Sequence, residues 1–290
     1  MANAAFSPKD FKAWIIEEAT TGTIPTITSG LLQLDVDSVS MPSLNVSQNL
    51  TPKTSVGRVL HANDFFQDST VRATEVSLSG TYHNDTGHIM LMQSACGVAL
   101  AATVADVAIP TASTTVAGKY GVTEGDKTFT LVLAAPDTTD GYNIVMPGCL
   151  CTNFAISAEA GSDGGLYKWS ATISSGQKPT TNNTATEAGT VYSAAPISLH
   201  TCTSATTVNS IASTVLSGFS VTIDSPAVYQ GFSATGYAAY ARAPELSVMA
   251  TAQVKYDSVT RPILNNFNTQ TAHDAADMLT LTQATPTHCS

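Results

Sequence analysis

Six histidines, five cysteines and a close pair of aspartates are the residues of this chain whose chemistry could extend beyond solvation. His83 and His88 bracket the turn Asn84-Asp85-Thr86-Gly87, and with Asp85 between them they outline a metal site. A metal centre would want a third donor and a supporting shell, whereas histidines around a polar turn are ordinarily solvated, so a surface turn is expected. His61, His200, His273 and His288 lie in contexts that supply no partner for acid-base work. Cys149 and Cys151 flank Leu150; on a strand they share one face with only two ligands between them, which predicts buried, small apolar groups. With Cys96, Cys202 and Cys289 they make an odd number without a CxxC pair, read as reduced thiols. Asp35 and Asp37 alternate along LLQLDVDSVS, about 7 Å apart by strand geometry, a separation that a glycosidase pair could use. Alternating acids on an exposed strand are more often solvation. No GxSxG elbow, P-loop, GxGxxG or HExxH occurs. The expectation is a chain with no catalytic residues, no metal site and no cofactor, and so not an enzyme.

Composition narrows the class. Hydrophobic residues make up 43% of the 290 positions, enough for a packed core, but only 12% are charged, against about 25% in an ordinary domain. Either much of the surface is covered by neighbours, or hydroxyl side chains solvate it. The formal charge is -10 and no basic stripe interrupts it, which argues against tight nucleic-acid binding; a passage lined with carboxylates would instead let DNA slide without sticking. The opening MANAAFSPKDFKAW has neither a basic leader nor a following apolar region, and no apolar run reaches the roughly 20 residues that span a bilayer. Synthesis and folding in a cytoplasm, without membrane insertion, are expected.

The elements that must position these residues read as strands. A short amphipathic helix is predicted from Pro8 to Glu18, with Ser7 as N-cap and Phe11, Trp14 and Ile15 on one apolar stripe, a candidate inter-subunit docking helix. After it, LLQLDVDSVS alternates as one half-buried strand with Asp35 and Asp37 facing out. Further strands are expected at TEVSLSGTYH, TFTLVLAA, TNFAISAEA, YKWSATI, GFSVTID and ELSVMATAQVKYD, with a hairpin turn at GSDGG. HIMLMQSACG reads as a helix closed by Gly97, and TAHDAADML as a weaker one. The stretch from Ala99 to Ala117 has no clear period, and QKPTTNNTATEAGT reads as an exposed loop. EVSLSGTYHNDTGHIML and ELSVMATAQVKYDSVTRPIL echo one another as strand, polar turn with an aspartate, and aliphatic run, with Asp85 meeting Asp257. The domain reading that follows is an arm at 1–29, a first β-domain at 30–190 and a second at 191–290.

Three blocks carry a family resemblance. RVLHANDFFQDSTVRATEVSLSGTYHNDTGHIMLMQSACG, GCLCTNFAISAEAGSDGGLYKWSATISSGQKP and SGFSVTIDSPAVYQ continuing to ELSVMATAQVKYDSVTRPIL resemble, in order and spacing, the blocks of tail tube (major tail) proteins of long-tailed bacteriophages. The resemblance implies an all-β fold with minor helices, a tail-tube-type β-sandwich, with two related β-domains whose interleaved strands and long hairpins form an inner barrel. It implies a virion protein that assembles with itself into stacked rings, trimeric if the chain is duplicated and otherwise hexameric. DNA would transit the tube without tight binding, and the tape measure protein, tail terminator and baseplate proteins would be partners. Asp35 and Asp37 are then candidate lumen-lining acids. Two rival expectations stand beside it: another virion β-protein (baseplate, decoration or fibre), and a carbohydrate-binding β-sandwich using Tyr229, Phe232, Tyr237 and Tyr240.

Overall fold

The computed structural model describes residues 7–27, 29–42, 47–50, 65–68, 74–97, 128–135, 143–182, 189–201, 207–208, 211–212, 216–231, 239–242, 246–258, 260–261 and 279–280. In chain order the strands are β1 (Lys12–Glu17), β2 (Leu32–Leu34), β3 (Ser38–Val39), β4 (Ser47–Leu50), β5 (Phe65–Asp68), β6 (Thr74–Thr81), β7 (Phe129–Ala134), β8 (Asn143–Glu159) and β9 (Lys168–Ser175). They continue with β10 (Thr180–Asn182), β11 (Thr207–Val208), β12 (Ile211–Ala212), β13 (Leu216–Asp224), β14 (Ala227–Gln230), β15 (Ala239–Arg242), β16 (Ser247–Val254) and β17 (Leu279–Thr280). One α-helix, α1 (Thr86–Ala95), lies among the described residues. The chain is all-β with minor helices, as its strand patterning predicts.

Ten strands form one antiparallel sheet along the path β2-β1-β7-β8-β9-β6-β3, with β10 and β13 also on β8 and β16 on β13. Strands of both expected domains therefore share this sheet. β8 organises it: one edge carries β9 and then β10, while the other carries β7 along its first half and β13 along its second. The apolar run FTLVLA of β7 has no alternation because both of its faces are covered. Phe129, Leu131 and Leu133 enter the main core with Ile15, Met146, Phe154 and Trp169, whereas Val132 and Ala134 meet Trp14, Ile27 and Leu31 on the other side. α1 lies against β8 and β2, with Met90, Leu91 and Ala95 in the main core. Its C-terminal end matches the predicted signal, Gly97 following the Cys96 C-cap at φ +67°, while its first turn begins two residues before the predicted His88, capped by the Asp85 side chain.

The N-terminal helix is not present. Pro8–Asp10 makes a single 3₁₀ turn with the Ser7–Asp10 capping box, and the chain then enters β1. Trp14 and Ile15 are buried on opposite faces of the sheet and Phe11 packs at the core margin, so the three residues form no common stripe. The physical reason is pairing: β1 is held along its whole length by β7 and on its other edge by β2, and that ladder outweighs a helical preference read from spacing.

The strand expected over LLQLDVDSVS is also divided. β2 pairs with β1 at one end of the path, and β3 pairs with β6 at the other. Seven flat strands would separate these ends by about 29 Å at roughly 4.8 Å per strand, yet residues 35–37 can span only about 14 Å. The sheet must curl until its two ends meet across this link. Gly80 permits the meeting: a Cβ there would fall 2.0 Å from the Asp35 carbonyl oxygen. That same oxygen accepts the indole N–H of Trp169 at 3.1 Å.

The echoed stretches adopt matching local structures. β3 and β6 pair antiparallel around the excursion that contains the β4–β5 hairpin; β13 and β16 pair antiparallel around the β14–β15 hairpin. After β6, Asp85 accepts the His88 N–H and its carbonyl accepts the Ile89 N–H. After β16, Asp257 accepts the Thr260 N–H and its carbonyl accepts the Arg261 N–H. The stretch from Ala99 to Ala117 and residues 271–278 of the helix predicted at TAHDAADML lie outside the described residues; its last residue, Leu279, is in β17. Within QKPTTNNTATEAGT, Thr180–Asn182 is strand β10 rather than loop.

Candidate functional site

Three segments bring the ionisable residues together. β6 leads into Tyr82 and His83, α1 is capped by Asp85 and carries His88 in its first turn, and the β2–β3 link supplies Asp35. Over them lies an extended strap, residues 189–198, which bridges to Leu32 through Thr190, to His83 through Pro196 and to Leu166 through Ser198.

His83 and His88 are not solvated, as the turn reading predicts, but 5% and 0% exposed. His83 Nδ1 lies 2.7 Å from the Ala194 carbonyl oxygen of the strap, and Nε2 lies 2.9 Å from Asp35 Oδ2. Tyr192 stacks on the His83 ring with centroids 4.7 Å apart. Burial, followed by the negative charge of Asp35 and a hydrogen bond to it, pushes the Tyr192 phenol above its ordinary range. His88 Nδ1 lies 2.8 Å from Asp85 Oδ1, and its ring meets Trp169 and Tyr82 edge to face. Burial, with a smaller contribution from Asp85, pushes the Tyr82 phenol up to about 12. His88 Nε2 and Asp85 Oδ2 are buried without a hydrogen-bond partner. The two histidine rings are buried, the Asp35 side chain is 24% exposed, and among the described residues no three His, Cys, Asp or Glu converge as a metal-holding set. The geometry of the group suits holding segments together rather than turning over a reactant.

Asp35 and Asp37 do not present two free carboxylates on one strand face. Asp35 turns toward His83, while Asp37 meets Lys168 Nζ at 3.1 Å on the exterior. The interruption of the strand between β2 and β3 sends the two side chains to different partners. Cys149 and Cys151 behave as predicted, both fully buried free thiols in the main core. Burial pushes the Cys149 thiol far up, and the charge of Glu18 adds to it. Tyr229 lies over Gly176, where a Cβ would fall 2.4 Å from its ring; Phe232 and Tyr237 lie outside the described residues.

The exposed face of the sheet has a distinct character. In register across it run Ser38, Ser79, Ser170, Ala155, Thr222 and Met249, and beside them Thr81, Lys168, Ser157, Ser220 and Thr251. Hydroxyls dominate this face, with the Lys168–Asp37 pair at its side, so among the described residues much of its solvation falls to serine and threonine. At its border stands β16, SVMATAQV, without a charged residue, paired on one edge with β13 and on the other with no described residue. Val248 and Met249 on it are 41% and 66% exposed, and Tyr256 just beyond is 68% exposed. Low charge is a property of the whole composition, whereas this edge has a local signal, the eight-residue run without Asp, Glu, Lys or Arg. No protein-family model matches the chain, and a search of curated proteins finds no significant match to it.

Proposed function

We propose that this chain is a self-assembling structural β-protein, a virion subunit of the phage tail tube kind that polymerises into stacked rings through which DNA is ejected. The observation that carries this reading is the outer edge of β16. Monomeric β-proteins blunt such an edge with lysine, proline, a bulge or a cover, because its unpaired N–H and C=O groups template pairing with another chain. β16 has no charge and no proline, and exposes Val248 and Met249 beside an edge that no described residue pairs. A second copy is the occupant that fits, since closing a ring of such subunits removes every edge at once. The matching local structures around β6 and β16 support a ring of three subunits with six similar units. In that ring the curled sheets form the inner barrel, and the hydroxyl face is the surface that suits passage of a polyanion, with the lumen role moving there from Asp35 and Asp37. Tape measure, terminator and baseplate proteins are the further partners of this proposal.

Negative-stain microscopy of the purified chain at rising concentration tests it. Hollow cylinders of uniform width are expected, with three-fold or pseudo-six-fold end views. Particles that stay monomeric, or fibres without a lumen, would overturn it.

A further inference from the structure

We propose that His83 is a proton-operated latch that holds the 189–198 strap across the outer edge of β2. Both ring nitrogens face groups that only accept: Nδ1 the Ala194 carbonyl at 2.7 Å, Nε2 the Asp35 carboxylate at 2.9 Å. Only the doubly protonated imidazolium donates to both. A neutral ring sets a lone pair against one oxygen in a site that is 5% exposed, where water cannot relieve the conflict. The backbone anchors of the strap lie toward its ends. Thr190 N–H donates to the Leu31 carbonyl at 2.7 Å and Thr190 carbonyl accepts from Gln33 N–H at 3.0 Å, while Ile197 carbonyl accepts from Tyr167 N–H at 2.8 Å. Between them the strap is held by His83 and by Tyr192.

The charged and titratable groups around His83 come from every packed element. The β2–β3 link supplies Asp35 and also Asp37, which is paired with Lys168 of β9. α1 supplies Asp85 and His88, paired with each other, and β6 and the strap supply Tyr82 and Tyr192. Asp35 is thus the carboxylate that complements the His83 cation. When the ring gives up its second proton, one of its two contacts fails and the middle of the strap loses its anchor. Thr190 keeps the Leu31 carbonyl and the Gln33 N–H, so the edge of β2 stays covered while the middle of the strap is released.

Hydrogen exchange of the full-length chain, corrected for intrinsic rates, tests the latch between about pH 5 and pH 8.5. Protection of the strap interior, residues 191–195, is expected to fall about tenfold relative to β7 over that interval, while Gln33, bonded to Thr190, keeps its protection. In Asp35→Asn the side-chain amide can donate to the neutral ring, so protection should persist at the higher pH and the slope should vanish. Strap protection independent of pH in the wild type, or an unchanged slope in Asp35→Asn, overturns the latch. Should that variant not fold, ¹⁵N NMR of the wild-type ring decides: two protonated nitrogens at low pH, with one lost at the same midpoint as the protection, are expected. A neutral His83 at low pH, or separate midpoints, overturns it.

Discussion

The carboxylate of Glu18 accepts the N–H of Gly148 at 2.7 Å, across 130 residues of sequence. Its two oxygens also take the hydroxyls of Thr128 and Thr130 and the N–H of Gly22, and the side chain is 1% exposed. Gly148 sits at φ +64°, a left-handed conformation that aims its amide at the acid within β8. Four donors converge on one acceptor-only group, so this buried acid ties the end of β1 to β7 and β8. Glu18→Gln places an NH₂ against one threonine hydroxyl, which can turn to accept, and one backbone N–H, which cannot and is left unsatisfied, a cost of roughly 1–3 kcal/mol. Urea unfolding of the two proteins at neutral pH measures it, and a loss below about 1 kcal/mol would deny the cage its structural role.

Gly80→Ala tests the closure of the sheet. The added methyl would meet the backbone oxygen of Asp35 at 2.0 Å, and backbone cannot swing aside as a side chain can. The β2–β3 link must then move off β6, costing the Trp169 indole bond to Asp35 as well as the packing. A loss of about 3 kcal/mol or more is expected, together with a shift in tryptophan fluorescence. A variant as stable as the wild type would mean that the two ends of the sheet do not depend on this contact.

Much of the strand content was legible because β6, β9 and β13 each carry a recognisable alternation or a β-rich run. The first helix misled because Ser7-Pro8-Lys9-Asp10 is a genuine capping signal, but the apolar residues that follow are buried on both faces. A doubly covered strand and a helix stripe place apolar residues at overlapping positions over so short a run. The split at Asp35 could not be read, since it arises from sheet closure between β1 and β6, a property of no local window. His83 was misplaced for a related reason: its partners Asp35 and Ala194 lie 48 and 111 residues away. For His88 a signal did exist. HIMLMQSACG is apolar almost all round, and such a helix buries its first turn along with its middle.

Tyr82→Phe should flatten the alkaline limb of the stability profile. Burial raises the folded-state phenol to about 12, while the unfolded chain ionises near 10. Below pH 10 both states keep the proton and the contribution is complete. Between pH 10 and about 12 the unfolded state loses its proton first, so stability drains away by roughly 2–3 kcal/mol. Denaturant midpoints at pH 9.5 and 11.5 should therefore lie closer together in the phenylalanine variant than in the wild type. Equal separations would show that Tyr82 ionises as easily in the fold as outside it.

Met249→Lys separates folding from assembly. Met249 is 66% exposed, opposite Thr222 on β13, so a lysine there should change the stability of the isolated chain by no more than about 0.5 kcal/mol. At an edge, however, an added strand would cover this residue's flank and strip water from the ammonium group, and β16 itself carries no acid to pair with it. Lysine is also the residue with which natural edge strands are commonly protected. Sedimentation velocity of the wild type should show large species growing with concentration, and Met249→Lys should remain small at the same concentrations with an unchanged circular dichroism spectrum. If the lysine variant assembles as well as the wild type, the joint between subunits lies elsewhere than at β16.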